Sequence, residues 1–154
     1  VWRQNAVVVS TTDQVYVIDE PTEKIEKVYN LKGAKGAISI AYAPEEKLLF
    51  VVSQGTDNLQ ILDATDGKLK ADVKVGAGPL AVVWEPVRKL AYVANRGSDS
   101  VAVVDVNGNL VANLPGGSYA NHVFTDGKGT VWSVNKARGL NDPQGDHISR
   151  YAAK

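Results

Sequence analysis

The sequence contains no cysteine and no methionine among its 154 residues. Without cysteine the chain can form neither a disulfide nor a thiolate metal site. That absence is compatible with an oxidising compartment, where a stray thiol is a hazard. Histidine is also scarce, with only His122 and His147 present. Two histidines without an evident carboxylate partner make a weak case for metal binding or for acid–base catalysis.

Net charge and long apolar runs are absent as well. Seventeen basic residues balance seventeen acidic ones, so no overall field draws the chain to nucleic acid or to a membrane surface. Any such binding needs a local patch. No run approaches the roughly 18 apolar residues of a membrane-spanning helix, and no signal peptide is visible. With 44% apolar residues, the composition is that of a folded domain with a real core.

A repeat of about 40 residues organises the chain. An apolar strand ending in Ser or Asn recurs at intervals of 43, 42 and 40 residues, at Ser10, Ser53, Asn95 and Asn135. A second strand ends in Asp at Asp19, Asp63 and Asp105, with spacings of 44 and 42 residues. This period matches the roughly 40–45 residues of a four-stranded propeller blade.

The clearest copy of the repeat is 88–115, RKLAYVANRGSDSVAVVDVNGNLVANLP. Its strand VAVVDV is apolar on both faces, which predicts a sheet covered on both sides, as in stacked propeller blades. Asn107-Gly108 predicts a two-residue type I′ hairpin, because that turn needs positive φ at both central positions.

These observations predict an all-β fold, a β-propeller of four-stranded antiparallel blades. We place about three and a half to four blades, with about fourteen strands, in one propeller segment over 1–154. The units are about 1–35, 36–77, 78–117 and 118–154. The first unit lacks most of its first strand and the last lacks its fourth. We therefore expect a larger ring, completed by an N-terminal segment or by another chain; a closed four-bladed ring is the alternative.

The repeats resemble the YVTN family of β-propellers. The resemblance is carried by Tyr92-Val93-Ala94-Asn95, by Val103-Val104-Asp105, and by the turn sequences 61–68 and 125–128. It spans almost the whole chain and is greatest to YncE-like bacterial periplasmic members. It implies part of a seven-bladed ring, a periplasmic or secreted location, and single-stranded DNA as a ligand. The sequence departs from the family pattern at 43–47 and 85–89, which lack the Asp-Gly turn, and at Tyr151.

Several repeated residues have structural interpretations. The strand-end acids Asp19, Asp63 and Asp105 are expected to accept backbone N–H bonds from the following turn. Asp13, Asp57 and Asp99 recur one turn earlier and are expected to brace that turn. Trp84 and Trp132 are expected in the core or between blades. We predict no catalytic residue, no metal site and no cofactor.

One rim of the propeller gathers cations with polar and aromatic side chains. Loops joining second to third strands share a face with loops leading into first strands, and 136–147 is about twice as long as its counterparts. Long loops on a rigid scaffold are where binding function concentrates, although a disordered surface loop is the alternative. The candidate ligand-binding residues are Lys35, Arg96, Tyr119, Asn121, His122, Lys136 and Arg138.

Three functions are compatible with this rim. Cations beside an aromatic ring suit a single-stranded nucleic acid or another anionic ligand, so a non-enzymatic binding module is our first hypothesis. The second is a protein–protein interaction scaffold of the cell envelope. The third is a channel-centred enzyme using His122, which is expected at the start of an innermost strand. Arg96 and Arg138 are expected to contribute more than the lysines, because a guanidinium can grip phosphate bidentately.

Overall fold

The computed structural model describes residues 2–3, 6–10 and 12–152, with side chains described for 12–152. The described residues form fifteen β-strands and no helix. The strands pair, each antiparallel to its neighbour, into three four-stranded sheets and one three-stranded sheet. Over the same residues no helix is long and apolar enough to cross a membrane.

Each sheet is a meander in which consecutive strands are neighbours, and we call the sheets blades 1 to 4. Blade 1 contains β1 (Trp2–Arg3), β2 (Ala6–Ser10), β3 (Gln14–Asp19) and β4 (Lys24–Asn30). Blade 2 contains β5 (Ala37–Ala43), β6 (Leu48–Ser53), β7 (Asn58–Asp63) and β8 (Leu69–Lys74). Blade 3 contains β9 (Pro79–Glu85), β10 (Leu90–Asn95), β11 (Ser100–Asp105) and β12 (Leu110–Pro115). Blade 4 contains β13 (Ala120–Thr125), β14 (Thr130–Asn135) and β15 (Ile148–Ala152).

Within residues 12–152 the core consists of three apolar layers, each between two successive blades. Tyr92 and Val101 of blade 3 pack with Val123 of blade 4. Ala102 and Val104, which alternate with Val101 along β11, pack in the layer shared with blade 2. Both faces of β11 are therefore buried, as its unbroken apolar sequence predicted.

Two of the tryptophans have different surroundings. Trp84 is 7% exposed and stacks on Phe50 of blade 2, with ring centroids 5.1 Å apart. This confirms the expected packing between blades. Trp132 stacks instead on Phe124 of its own blade, with centroids 5.1 Å apart, and it is only partly buried. Trp2 has no described side chain.

The turns show what the strand-end acids do. The Asp19 carboxylate accepts bonds from Thr22, Asp63 accepts the N–H of Thr65 at 2.8 Å, and Asp105 accepts those of Asn107 and Asn109. These bonds confirm the prediction that the acids bind the following turn.

The predicted type I′ turn at Asn107-Gly108 is wrong. Gly108 has φ +85°, but Asn107 is not among the positive-φ residues. The hairpin is closed by bonds from Asp105 N–H to the Asn109 carbonyl and from Gly108 N–H to the Asp105 carbonyl. The Asp105 carboxylate, bound to the N–H groups of 107 and 109, stabilises this longer turn.

Candidate functional site

The candidate site lies on loops at the junction of blades 3 and 4. Short loops join β10 to β11 and β12 to β13, and the long loop joins β14 to β15. The backbone fixes their positions, because Arg96 N–H donates to the Gly78 carbonyl at 3.0 Å and Lys136 N–H to the Ser118 carbonyl at 3.1 Å. Loops that were distant in sequence are thereby brought to one edge.

Two arginines from different loops approach the same aromatic ring. The guanidinium carbon of Arg96 lies 4.7 Å from the centroid of the Tyr119 ring, and that of Arg138 lies 4.9 Å from it. Both distances are within the range of cation–π attraction. We call Arg96, Tyr119 and Arg138 the Arg–Tyr–Arg cluster. All three were candidate ligand-binding residues, and the structure brings them together.

The Tyr119 backbone is left-handed, with φ +50°. The corresponding positions of blades 2 and 3 are glycines, Gly36 with φ +67° and Gly78 with φ +59°. A left-handed residue with a bulky side chain costs on the order of 1–3 kcal/mol. Six other residues besides glycine are left-handed in the described part of the chain, and all six are charged, so Tyr119 is the one aromatic residue among them.

Asp99 holds this strained residue in place. Its Oδ1 accepts the Tyr119 N–H at 2.8 Å, and one blade earlier Asp57 Oδ1 accepts the Gly78 N–H at 2.8 Å. The expectation that these acids brace their own turn was therefore incomplete, since each carboxylate binds the residue just before the first strand of the next blade. The recurring spacings of 21 and 20 residues, from 57 to 78 and from 99 to 119, were the available signal for this contact.

The second oxygen of Asp99 has a different partner. Oδ2 forms an ion pair with Arg138 Nη2, whereas Arg96 has no ion pair among residues 12–152. The Arg138 side chain is 48% exposed and that of Asp99 is 34% exposed. Two guanidinium groups and one carboxylate leave the site with one net positive charge.

The long loop that carries Arg138 is folded back on itself. Asp142 accepts the Arg138 N–H at 2.9 Å, Asp146 accepts the Ala137 N–H at 3.2 Å, and Asn135 accepts the His147 N–H at 2.7 Å. The N–H groups of Arg138 and then Gln144 lower the pKa of the Asp142 carboxyl. These bonds give the loop an ordered conformation, contrary to the alternative of a disordered surface loop.

The other predicted site residues differ in their relation to the cluster. Lys136 adjoins it, since its N–H also lies 3.2 Å from the Tyr119 carbonyl. Asn121 occupies the irregularity of β13 between Ala120 and His122. Lys35 lies two blade junctions away, where its carbonyl accepts the Gly55 N–H at 2.9 Å.

His122 lies on β13 opposite Val134 and is exposed. Within residues 12–152 it has no hydrogen bond or ion pair that would orient it as an acid or base. No group of three or more His, Cys, Asp or Glu side chains that could hold a metal ion occurs in the described part of the chain.

Comparison with known proteins supports the fold. No family model and no curated protein matches the sequence. A structure of Kuenenia stuttgartiensis hydrazine synthase matches with TM-score 0.84 and 18% identity, covering 96% of this chain and 43% of that one. A structure of the mitotic checkpoint complex matches with TM-score 0.80 and 14% identity, covering 99% of this chain and 47% of that one.

Both neighbours are β-propeller proteins, and this chain has the fold of a partial β-propeller. It spans less than half the length of each matched chain. At these identities the likeness shows the fold alone.

Proposed function

We propose that this chain is part of a non-enzymatic binding propeller that takes an anionic ligand, single-stranded DNA as the best candidate, at the Arg–Tyr–Arg cluster. The observation that carries the proposal is the approach of Arg96 and Arg138 to one partly exposed tyrosine ring. Single-stranded nucleic acids are bound by cations that neutralise the backbone and by aromatic rings that stack on bases.

The resemblance to the YVTN family is in keeping with this proposal and extends it. On that resemblance the complete protein is a periplasmic or secreted ring of seven blades, close to YncE-like proteins. The remaining blades come from an N-terminal segment or from another chain.

A protein–protein interaction scaffold of the cell envelope is the second candidate. Leu140 is fully exposed on the same long loop as Arg138, and an apolar side chain beside arginines suits a protein partner. An enzyme centred on His122 has no comparable support, since no acid–base partner for His122 is present among residues 12–152.

The first experiment removes one arginine. Arg96→Ala should weaken the binding of single-stranded oligonucleotides of every sequence and reduce the salt slope by about one unit, because one phosphate contact is lost. Fluorescence titration with an oligonucleotide at two salt concentrations measures both quantities.

Two variants serve as controls. Arg150→Ala removes an exposed arginine from β15. Lys89→Ala removes a lysine in the β9–β10 turn, which lies at the other ends of the strands from the Arg–Tyr–Arg cluster. The Lys89 ammonium forms an ion pair with Glu46 at 2.9 Å. Neither should change affinity by more than a small factor. Equal losses for Arg96→Ala and the controls, or no binding at low salt, would exclude the nucleic-acid proposal in favour of the scaffold.

A further inference from the structure

Asp99 makes one contact that its counterpart in the preceding blade does not make. Both Asp57 and Asp99 have left-handed backbones, with φ +53° and +52°. Through Oδ1 each also accepts the N–H of the residue just before the next blade. Only Asp99 also forms an ion pair, through Oδ2 with Arg138. The structural role that the two residues share needs only an oxygen acceptor, which asparagine would also provide.

The charge on Asp99 therefore acts on the site. The Asp99 carboxylate is paired with the Arg138 guanidinium. Part of the capacity of Arg138 to bind an anionic ligand is therefore already used. Arg96 has no such partner within residues 12–152 and remains available to a ligand.

We propose that Asp99 is an internal competitor that occupies, in the unliganded protein, the position on Arg138 that the ligand's anionic group takes. This inference rests on the proposed anion-binding function and deepens it. The ligand displaces the carboxylate from Arg138, while the bond from Asp99 Oδ1 to the Tyr119 N–H remains.

The ligand class follows from the two guanidinium groups that the cluster offers. Arg96 and Arg138 come from different loops and both lie beside Tyr119. Successive phosphates of a strand can reach both groups, whereas a free nucleotide monophosphate offers a single phosphate. The site should therefore prefer a strand to a free nucleotide monophosphate.

Asp99→Asn tests the proposal, with Asp57→Asn as the matched control. The probes are an oligothymidylate without terminal phosphates and thymidine 5′-monophosphate. Asp99→Asn should bind the oligonucleotide about three- to tenfold more tightly with a salt slope steeper by about one. Asp57→Asn should leave both probes unchanged.

A double-mutant cycle locates the effect on Arg138. In an Arg138→Gln background the gain from Asp99→Asn should disappear, because the competed guanidinium is gone. A gain that persists there, or equal gains from Asp57→Asn and Asp99→Asn, would mean general repulsion and would overturn the inference. Arg138→Gln leaves the Asp99–Tyr119 bond intact, and circular dichroism checks that each variant is folded.

The possible failures are distinguishable. If wild type binds and Arg96→Ala weakens binding, but Asp99→Asn does not strengthen it, only the competitor role is wrong. If wild type binds no probe at low salt, the proposed function fails, and this inference fails with it.

Discussion

Tyr119 adopts a backbone conformation that other copies of the repeat assign to glycine. Two of three corresponding positions are left-handed glycines, and the third is a left-handed tyrosine. Its cost in backbone free energy is offset by the Asp99 bond and by contact with two guanidinium groups. From the sequence, Tyr119 is a tyrosine in a loop. Its left-handed conformation is indicated only when the repeats are aligned and Tyr119 is found to match Gly36 and Gly78.

Glu85 is a buried charge whose partners join two blades. It is fully buried, and its carboxylate accepts the N–H groups of Val87 at 3.0 Å and Arg88 at 2.9 Å. The Arg88 side chain also donates to Glu85, at 3.2 Å, and reaches the Gly129 carbonyl of blade 4 at 2.6 Å. Burial raises the pKa of Glu85, but the hydrogen bonds from Arg88 and Val87 outweigh it, and the net pKa lies below 4.5.

The direction of that shift fixes a pH dependence. Because the folded-state pKa is lowered, the stabilisation from Glu85 is fully present above its unfolded pKa of about 4.5 and is lost as pH falls through the folded pKa. Glu85→Gln should lower the free energy of unfolding by about 1–3 kcal/mol at pH 7. The difference from wild type should shrink below pH 4.5.

Urea denaturation at pH 7 and at about pH 3.5 measures that difference. The exposed Glu45 offers a matched control, and Glu45→Gln should change stability by less than about 0.5 kcal/mol at either pH. A difference for Glu85→Gln that stays constant between the two pH values would show that its charge is not the cause.

At the scale of elements, turns fix the strands and also contact neighbouring blades. Gly108 in the β11–β12 turn is left-handed with φ +85°, and a Cβ there would lie 2.5 Å from the Ala71 Cβ of blade 2. Gly127 in the β13–β14 turn is left-handed with φ +69°, and a Cβ there would have no neighbour within 4 Å. A substitution at Gly127 therefore measures the cost of backbone strain alone, and one at Gly108 measures that cost together with the cost of packing against blade 2.

Gly108→Ala should destabilise the protein more than Gly127→Ala does. Both substitutions cost on the order of 1–2 kcal/mol for a left-handed alanine, and Gly108→Ala adds the overlap with Ala71. We expect an excess of about 1–3 kcal/mol, typical of overpacking, measured by chemical denaturation. Equal losses of unfolding free energy for the two variants would show that blade 2 accommodates the added methyl group at no measurable cost.

The sequence indicated the elements better than the turns between them. Recurring Ser or Asn and Asp at strand ends located the strands, because a carboxylate at that point binds the turn that follows. The type of the Asn107-Gly108 turn was wrong, because Asp105 and Asn109 bind each other's side chains across it. Topology placed Arg96, Tyr119 and Arg138 on one rim, but their convergence depends on the fold of the long loop.

At the scale of the whole molecule, the repeat predicts how the open face of blade 4 is covered. Phe50 of blade 2 is 0% exposed and Tyr92 of blade 3 is 2% exposed, since each lies under the following blade. The corresponding residue of blade 4 is Trp132, which is only partly buried, and its stacking partner Phe124 is 43% exposed. We propose that this face takes up a further blade of the ring.

The purified chain should therefore associate through the face around Phe124 and Trp132, because burying a stacked aromatic pair stabilises an interface. Light scattering after gel filtration, together with solution X-ray scattering, should give a mass above 16.5 kDa that increases with concentration. Phe124→Ser should lower that mass. Val87→Ser changes a 63% exposed residue in the β9–β10 turn of blade 3 and should leave the mass unchanged. A compact particle of 16.5 kDa at every concentration would instead establish the closed four-bladed ring, in which blade 1 would have to cover this face.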